Sequence, residues 1–255
     1  MALAEAAGEQ RQRKLTRVLL MCFSAPLCRK DQQLQLVHDE DVTVKRRRSR
    51  TSTAVDEKPL RKIADAFEEL ANVVSSESSV VEVAAFSRAC FFVAPLFGCI
   101  GFHFKFIEMD YVTKVNDIAE ASKSFRTLQS MVDKDVQTNS VRKQGSHSRN
   151  LLKIKRGLDF LRLLFEQILL TEGNSIRDAV SKAYTQIFNS YHGWALRKAV
   201  SARLHYLPTK QQLYKKLNED ESAARVLMQT YVSASAPLLL YIDKIFLQRE
   251  LGIDW

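Results

Sequence analysis

From residue 57 to the end of the chain, apolar residues recur at helical spacing, and no stretch alternates in the way a half-buried strand does. In "KPLRKIADAFEELANVV", Leu60, Ile63, Phe67, Leu70 and Val74 fall on one face with charges between them. The spacing predicts a second helix over 83–94. Pro95 disfavours helical geometry at Ala94, so the chain is expected to turn through "PLFG". A third helix is predicted from about Cys99 through Asp110 and Lys114 to about Met131. A longer one follows through "SRNLLKIKRGLDFLRLLFEQILL", stopped by Gly173 and Asn174. Shorter helices are predicted over 176–188, 193–204 and 209–217, and a long last one over about 219–247. With only 8 Gly and 5 Pro in 255 residues, a turn-rich all-β fold is excluded. No period of 20–50 residues repeats, which excludes a solenoid. The expectation is one all-α domain over 57–255.

Residues 1–55 read differently. They hold 11 Lys/Arg against 6 Asp/Glu, so a net +5 of the chain's +9 lies in the first fifth. The run "KRRRSRTST" (45–53) cannot bury a core. The extension is predicted to be mostly disordered, with a short helix across 10–23. Its basic run fits a solvated tail, a nuclear-import signal or contact with an anionic membrane surface.

Cys22, Cys28, Cys90 and Cys99 show no CxxC spacing, which favours a reducing, cytoplasmic setting and argues against structural zinc. The best candidate span, "ACFFVAPLFGCIGF", has 14 residues interrupted by Pro95, Gly98 and Gly101, short of the ~20 that a bilayer requires. The apolar run Val18–Phe23 is too short for a signal peptide. Ala2 excludes myristoylation, and no CaaX box ends the chain. GxSxG, HExxH, P-loop and GxGxxG patterns are absent. The five His show no metal spacing, and no cofactor is implied. An Asp110–His192 acid–base pair is the one enzymatic option.

Three stretches carry polar groups on otherwise apolar helices. "EMDYVTK" puts Asp110 and Lys114 four apart, "SHSRNLLKIKRG" does the same for Arg149 and Lys153, and "SYHGWALRK" places His192 and Trp194 at a helix start. An i,i+4 ion pair contributes only ~0.3–0.5 kcal/mol and is common on solvated helices. If the three cations converge, they repel unless they meet an anion, and phosphate is the natural match. Separate surface pairs are the alternative.

The stretches "FEELA", "PLFGCIGFHFKFIEMDYVTKV", "SVRKQGSHSRNLLKIKRGLDF", "SYHGWALRKAV", "ASAPLLLYIDKIF" and "LGIDW" together resemble the glycolipid transfer protein family, over about 57–255 and in order. The likeness is strongest to its plant members that transfer ceramide-1-phosphate and bear on programmed cell death. The resemblance implies a two-layer sandwich of about eight helices, with a sphingolipid's chains between the layers. It implies that Asp110 accepts from the sphingoid amide N–H and His192 donates to the amide carbonyl. Lys114, Arg149 and Lys153 would hold a phosphate, and Trp194 would touch membrane. Sugar-binding members carry Asn and Lys four and seven residues after the Asp, where this chain has Lys114 and Asp117. They carry Trp where this chain has Lys153. Lys153 also departs from the phosphate-binding pattern, which has Arg. The implied function is non-enzymatic intermembrane transfer of ceramide-1-phosphate-type lipids by a monomer with transient membrane contact and no nucleic-acid partner. The rivals are a lipid-presenting sensor that regulates cell death through protein partners, a glycolipid transfer protein, an enzyme acting on the lipid, and a nucleic-acid binder using the basic tail.

Overall fold

The structure, a computed structural model, describes residues 58–76, 79–101 and 105–255. The chain divides into two units, 1–51 and 52–255, and all described residues belong to the second. The expected helix at 10–23, the basic run 45–53, Cys22, Cys28, His38 and His103 lie outside them.

Nine α-helices form among the described residues: α1 (Pro59–Ser75), α2 (Val83–Ile100), α3 (Lys105–Ala121), α4 (Leu128–Gln137), α5 (His147–Leu170), α6 (Arg177–Phe188), α7 (Trp194–Arg203), α8 (Lys210–Lys216) and α9 (Glu221–Leu247). No strand forms among these residues, only isolated bridges such as Glu82 with Thr127. Packing closes a circuit from α1 to α2, α3, α5, α9 and back to α1, which gives a two-layer helical sandwich. Tyr231 of α9 ties three of these helices. Its ring meets Phe67 of α1 at 4.8 Å and Phe165 of α5 at 5.6 Å, and its hydroxyl donates to the Leu158 carbonyl at 3.1 Å.

Two boundaries differ from the sequence expectation. Helix α2 runs through Pro95 without a turn and ends at Gly101, whose φ of 157° and ψ of 151° suit glycine. Proline removes one helical N–H, but Val93, Ala94, Leu96 and Phe97 around it are all buried, and tertiary burial outweighs the local preference. So extended, α2 is an 18-residue helix apolar enough to cross a bilayer by length and hydropathy, yet 56% of it is buried within this fold, as in a core helix. The predicted third helix is two, split at 122–127. Leu128 N donates to the Val81 carbonyl and Val83 N to the Arg126 carbonyl, so the connection is held by the segment before α2. Thr127 then caps α4 in a reciprocal box with Ser130.

Helix α5 is fixed at its start. Ser146 caps it by accepting from Arg149 N, and the buried Asp135 carboxylate of α4 accepts from both Ser148 N and Ser148 Oγ at 2.7 Å. An acid there also complements the helix dipole. Helix α3 lies close against α5 at Gly157, where a Cβ would stand 3.1 Å from a Tyr111 ring carbon. Asp117 of α3 reaches His147 and Asn150 of α5, each at 2.9 Å. These contacts set the register of the two helices that bear Asp110, Lys114, Arg149 and Lys153.

Candidate functional site: a cationic face on α3 and α5

Asp110 and Lys114 form the expected i,i+4 pair, with Lys114 Nζ 2.5 Å from Asp110 Oδ1. The pair is lopsided. The Asp110 side chain is 73% exposed and that of Lys114 only 11%. The same ammonium donates to the Asp110 main-chain carbonyl at 3.0 Å. Lys114 is therefore packed and pinned, while the carboxylate it steadies faces outward.

Lys153 shares this neighbourhood. Loss of hydration among the surrounding side chains, then the charges of Lys114 and Arg149, pull its ammonium below the ordinary lysine value. Asp110 opposes the shift, and Arg156 adds to it. Lys153 is nonetheless an exposed residue. Arg149 is oriented by donating from Nη1 to the Arg142 carbonyl at 3.2 Å. Two of the three predicted stretches thus lie on helices that pack together, and the charges of Lys114, Asp110 and Arg149 all act on Lys153.

His192 lies on the connection between α6 and α7. Its ring stacks on Phe188 at 5.2 Å and 6°, and Nδ1 lies 2.9 Å from the Tyr184 hydroxyl. Burial holds its pKa below the ordinary histidine value, so the ring is neutral at pH 7. Its link to the cationic face runs through the preceding residue: the Arg156 guanidinium sits 3.7 Å over the Tyr191 ring. Trp194 is 67% exposed, with Lys198 Nζ 5.0 Å over its ring, so it is no core aromatic. The surface depressions lined by Glu82 and Arg126 and by Gln167 and Gln186 share no residue with this face.

Arg156, Tyr191 and Tyr184 were missed from sequence. Arg156 had a signal: Arg149, Lys153 and Arg156 are spaced i, i+4, i+7 on α5, one continuous stripe. The two tyrosines had none, since their role depends on how α6 meets α5.

A helical sandwich with an acid beside a group of cations defines a class. The profile of the glycolipid transfer protein (GLTP) family matches residues 81–219, and the chain belongs to that family. It is 55% identical over 200 residues to "Accelerated cell death 11" of Arabidopsis thaliana, covering 78% of this chain and 97% of that protein. A crystal structure of a mutant Arabidopsis ACD11 complexed with C12 ceramide-1-phosphate superposes with a TM-score of 0.76, over 78% of this chain and all of that one. The human ceramide-1-phosphate transfer protein, in complex with 12:0 ceramide-1-phosphate, has the same fold at 19% identity, with a TM-score of 0.68 over 76% of this chain and 98% of that one.

Proposed function

We propose that this chain extracts and transfers ceramide-1-phosphate-type sphingolipids between membranes, with Asp110 and His192 on the amide and Lys114, Arg149 and Lys153 on the phosphate. The observation that carries this is the packing of α3 on α5, joined by Asp117 to His147 and Asn150, which sets the helix bearing Asp110 and Lys114 against the helix bearing Arg149 and Lys153. Like charges held together are relieved by an anion of matching size, at ~1.5–3 kcal/mol per charged hydrogen bond. The kinship with a protein crystallised with ceramide-1-phosphate supports the choice of anion.

The residues divide the work. Lys114, fixed by Asp110, offers a steady positive charge. Asp110 faces outward to accept an amide N–H. His192 Nδ1 lies 2.9 Å from the Tyr184 hydroxyl, and the tautomer in which that hydroxyl donates leaves the proton on Nε2, the donor the amide carbonyl requires. Moving the lipid's chains through water would cost ~0.8 kcal/mol per CH₂. An apolar interior makes the exchange nearly neutral and leaves selection to the headgroup. Asp117, where sugar-binding members have Lys, is engaged by His147 and Asn150 instead, which disfavours the glycolipid alternative. No step alters the lipid covalently. The protein acts as a cytoplasmic monomer that meets membrane transiently, with Trp194 and Lys198 at the interface. Competitive transfer of fluorescent ceramide-1-phosphate and galactosylceramide between vesicles tests the proposal. Preference for the sugar lipid, or transfer of neither, would overturn it.

Two further results are expected. Lys153 loses its proton at lower pH than an ordinary lysine. Binding to ceramide-1-phosphate should therefore weaken as pH rises through that lowered value, and Lys153→Arg should move the loss to higher pH. A binding curve equally flat for both proteins up to the ordinary lysine range would count against a role for Lys153. Deleting residues 1–55 should leave transfer from neutral vesicles unchanged, since every proposed contact lies between 110 and 192, and should slow it from anionic vesicles by removing a net +5. Vesicle-to-vesicle rates on both compositions check this.

A further inference from the structure

Arg156 lies on the cation-bearing face of α5, yet its guanidinium is turned inward to the protein. Nη2 donates to the Ile253 carbonyl at 3.0 Å and to the Trp255 carbonyl oxygen at 2.6 Å. One face of the same group covers the Tyr191 ring at 3.7 Å. A planar guanidinium can do both at once, with its edge on carbonyls and its face on a ring. With edge and face both engaged, it is poorly placed to be a fourth phosphate ligand.

Both segments have other anchors, His192 on Phe188 and Tyr184 and Trp255 against Phe246, but Arg156 touches the two of them at once. The stretch 189–193 is held by turn bonds from Tyr191 N and His192 N to the Phe188 carbonyl and by the His192 ring on Phe188 and Tyr184, and α7 begins after Gly193 with no side-chain cap. The segment 251–255 leaves α9 through positive φ at Glu250 (55°) and Gly252 (67°). It folds onto itself through Trp255 Nε1, which donates to the Leu251 and Gly252 carbonyls. Arg142 donates to the Leu251 carbonyl from one side and lies over the Trp255 ring at 5.3 Å. Arg142 is also the residue whose carbonyl orients Arg149. The 251–255 segment is thus clasped by two arginines, one leading to the phosphate cations and the other to the residue beside His192.

We propose that Arg156 is a positioning residue, fastening the 251–255 segment and the Tyr191–Trp194 connection to α5 and so setting where His192 stands for the lipid amide. This rests on the lipid-transfer reading above. The connection also carries the exposed Trp194, so the clasp couples the membrane-facing residue to the amide donor. Lipid entry that moves this connection must lift Tyr191 from the guanidinium.

The test uses the full chain with ¹⁵N-labelled histidine side chains, without lipid. In the parent protein His192 titrates below the ordinary histidine range because it is buried. Arg156→Gln should release the connection, raise the His192 midpoint towards that range, and drop ceramide-1-phosphate transfer on the order of tenfold. Arg156→Lys keeps the charge but loses the planar stack and the double carbonyl contact, so it should raise the midpoint as well. Tyr191→Leu removes the ring that the guanidinium covers, and should likewise raise the midpoint and lower transfer. If Arg156→Gln moves the midpoint and Arg156→Lys does not, charge alone is acting and the positioning role is wrong. No movement in either variant also overturns it. If both move it while His192→Ala transfers ceramide-1-phosphate at the parent rate, the clasp stands and the assignment of His192 to the lipid fails. Should Arg156→Gln not fold, Arg156→Lys with Tyr191→Leu decides the matter: a midpoint unmoved in both overturns the positioning role.

Discussion

Asp110→Val is expected to abolish ceramide-1-phosphate transfer in a protein that stays folded. The carboxylate is largely exposed and its partner Lys114 keeps the Asp110 main-chain carbonyl as an acceptor, so the fold loses little. The lipid loses more. Its amide N–H would enter the site with no acceptor, at ~1–3 kcal/mol, which is roughly a 5- to 150-fold weaker complex. Lys114 would also lose the charge that steadies it, and the cationic face would gain one net positive charge. Circular dichroism and thermal unfolding establish the fold, and vesicle transfer measures the loss. A folded Asp110→Val protein that transfers at the parent rate would remove Asp110 from the site. Asp110→Asn separates the two contributions: it keeps an acceptor oxygen while losing the charge, and should fall between parent and valine.

Several helix ends that carry local chemistry were legible in the sequence, though the capping box of Thr127 with Ser130 at the start of α4 was passed over. Ser146, Thr209 and Asp220 each cap a helix through a side-chain oxygen, and Gly173, with φ of 83°, follows the end of α5. Sequence reasoning failed where a distant segment decides the outcome. Pro95 sits inside α2 because Val93, Ala94, Leu96 and Phe97 on either side of it are buried, and the break at 122–127 exists because residues 81–83 pair with it. The site divides in the same way. Asp110 with Lys114 and Arg149 with Lys153 are i,i+4 pairs visible in one helix at a time. That the two pairs meet depends on Gly157 against Tyr111 and on Asp117 against His147, contacts between α3 and α5 with no local signature. His192 was singled out by its place at a helix start and given its lipid role through likeness to a family, and its tie to Tyr184 became visible only in the fold.

Arg149→Glu should cost more transfer than Lys153→Ala. The first replaces a donor with a carboxylate aimed at the phosphate, so repulsion adds to the lost attraction. The second removes one cation that its neighbours already disfavour, and Lys114 and Arg149 remain. At ~1.5–3 kcal/mol for a charge-assisted bond, Lys153→Ala corresponds to roughly a tenfold to hundredfold loss. Arg149→Glu should reach background. Lys153→Arg should hold or raise affinity, since a guanidinium can grip two phosphate oxygens where an ammonium offers a point charge. Lys153→Trp should weaken phosphate binding without creating good glycolipid transfer. Lys114 would still stand where sugar-binding members have Asn, and Asp117 would still be engaged by His147 and Asn150. The measurement is competitive transfer of fluorescent ceramide-1-phosphate and galactosylceramide by all four variants. Parent-rate ceramide-1-phosphate transfer by either Arg149→Glu or Lys153→Ala would mean that the phosphate lies elsewhere.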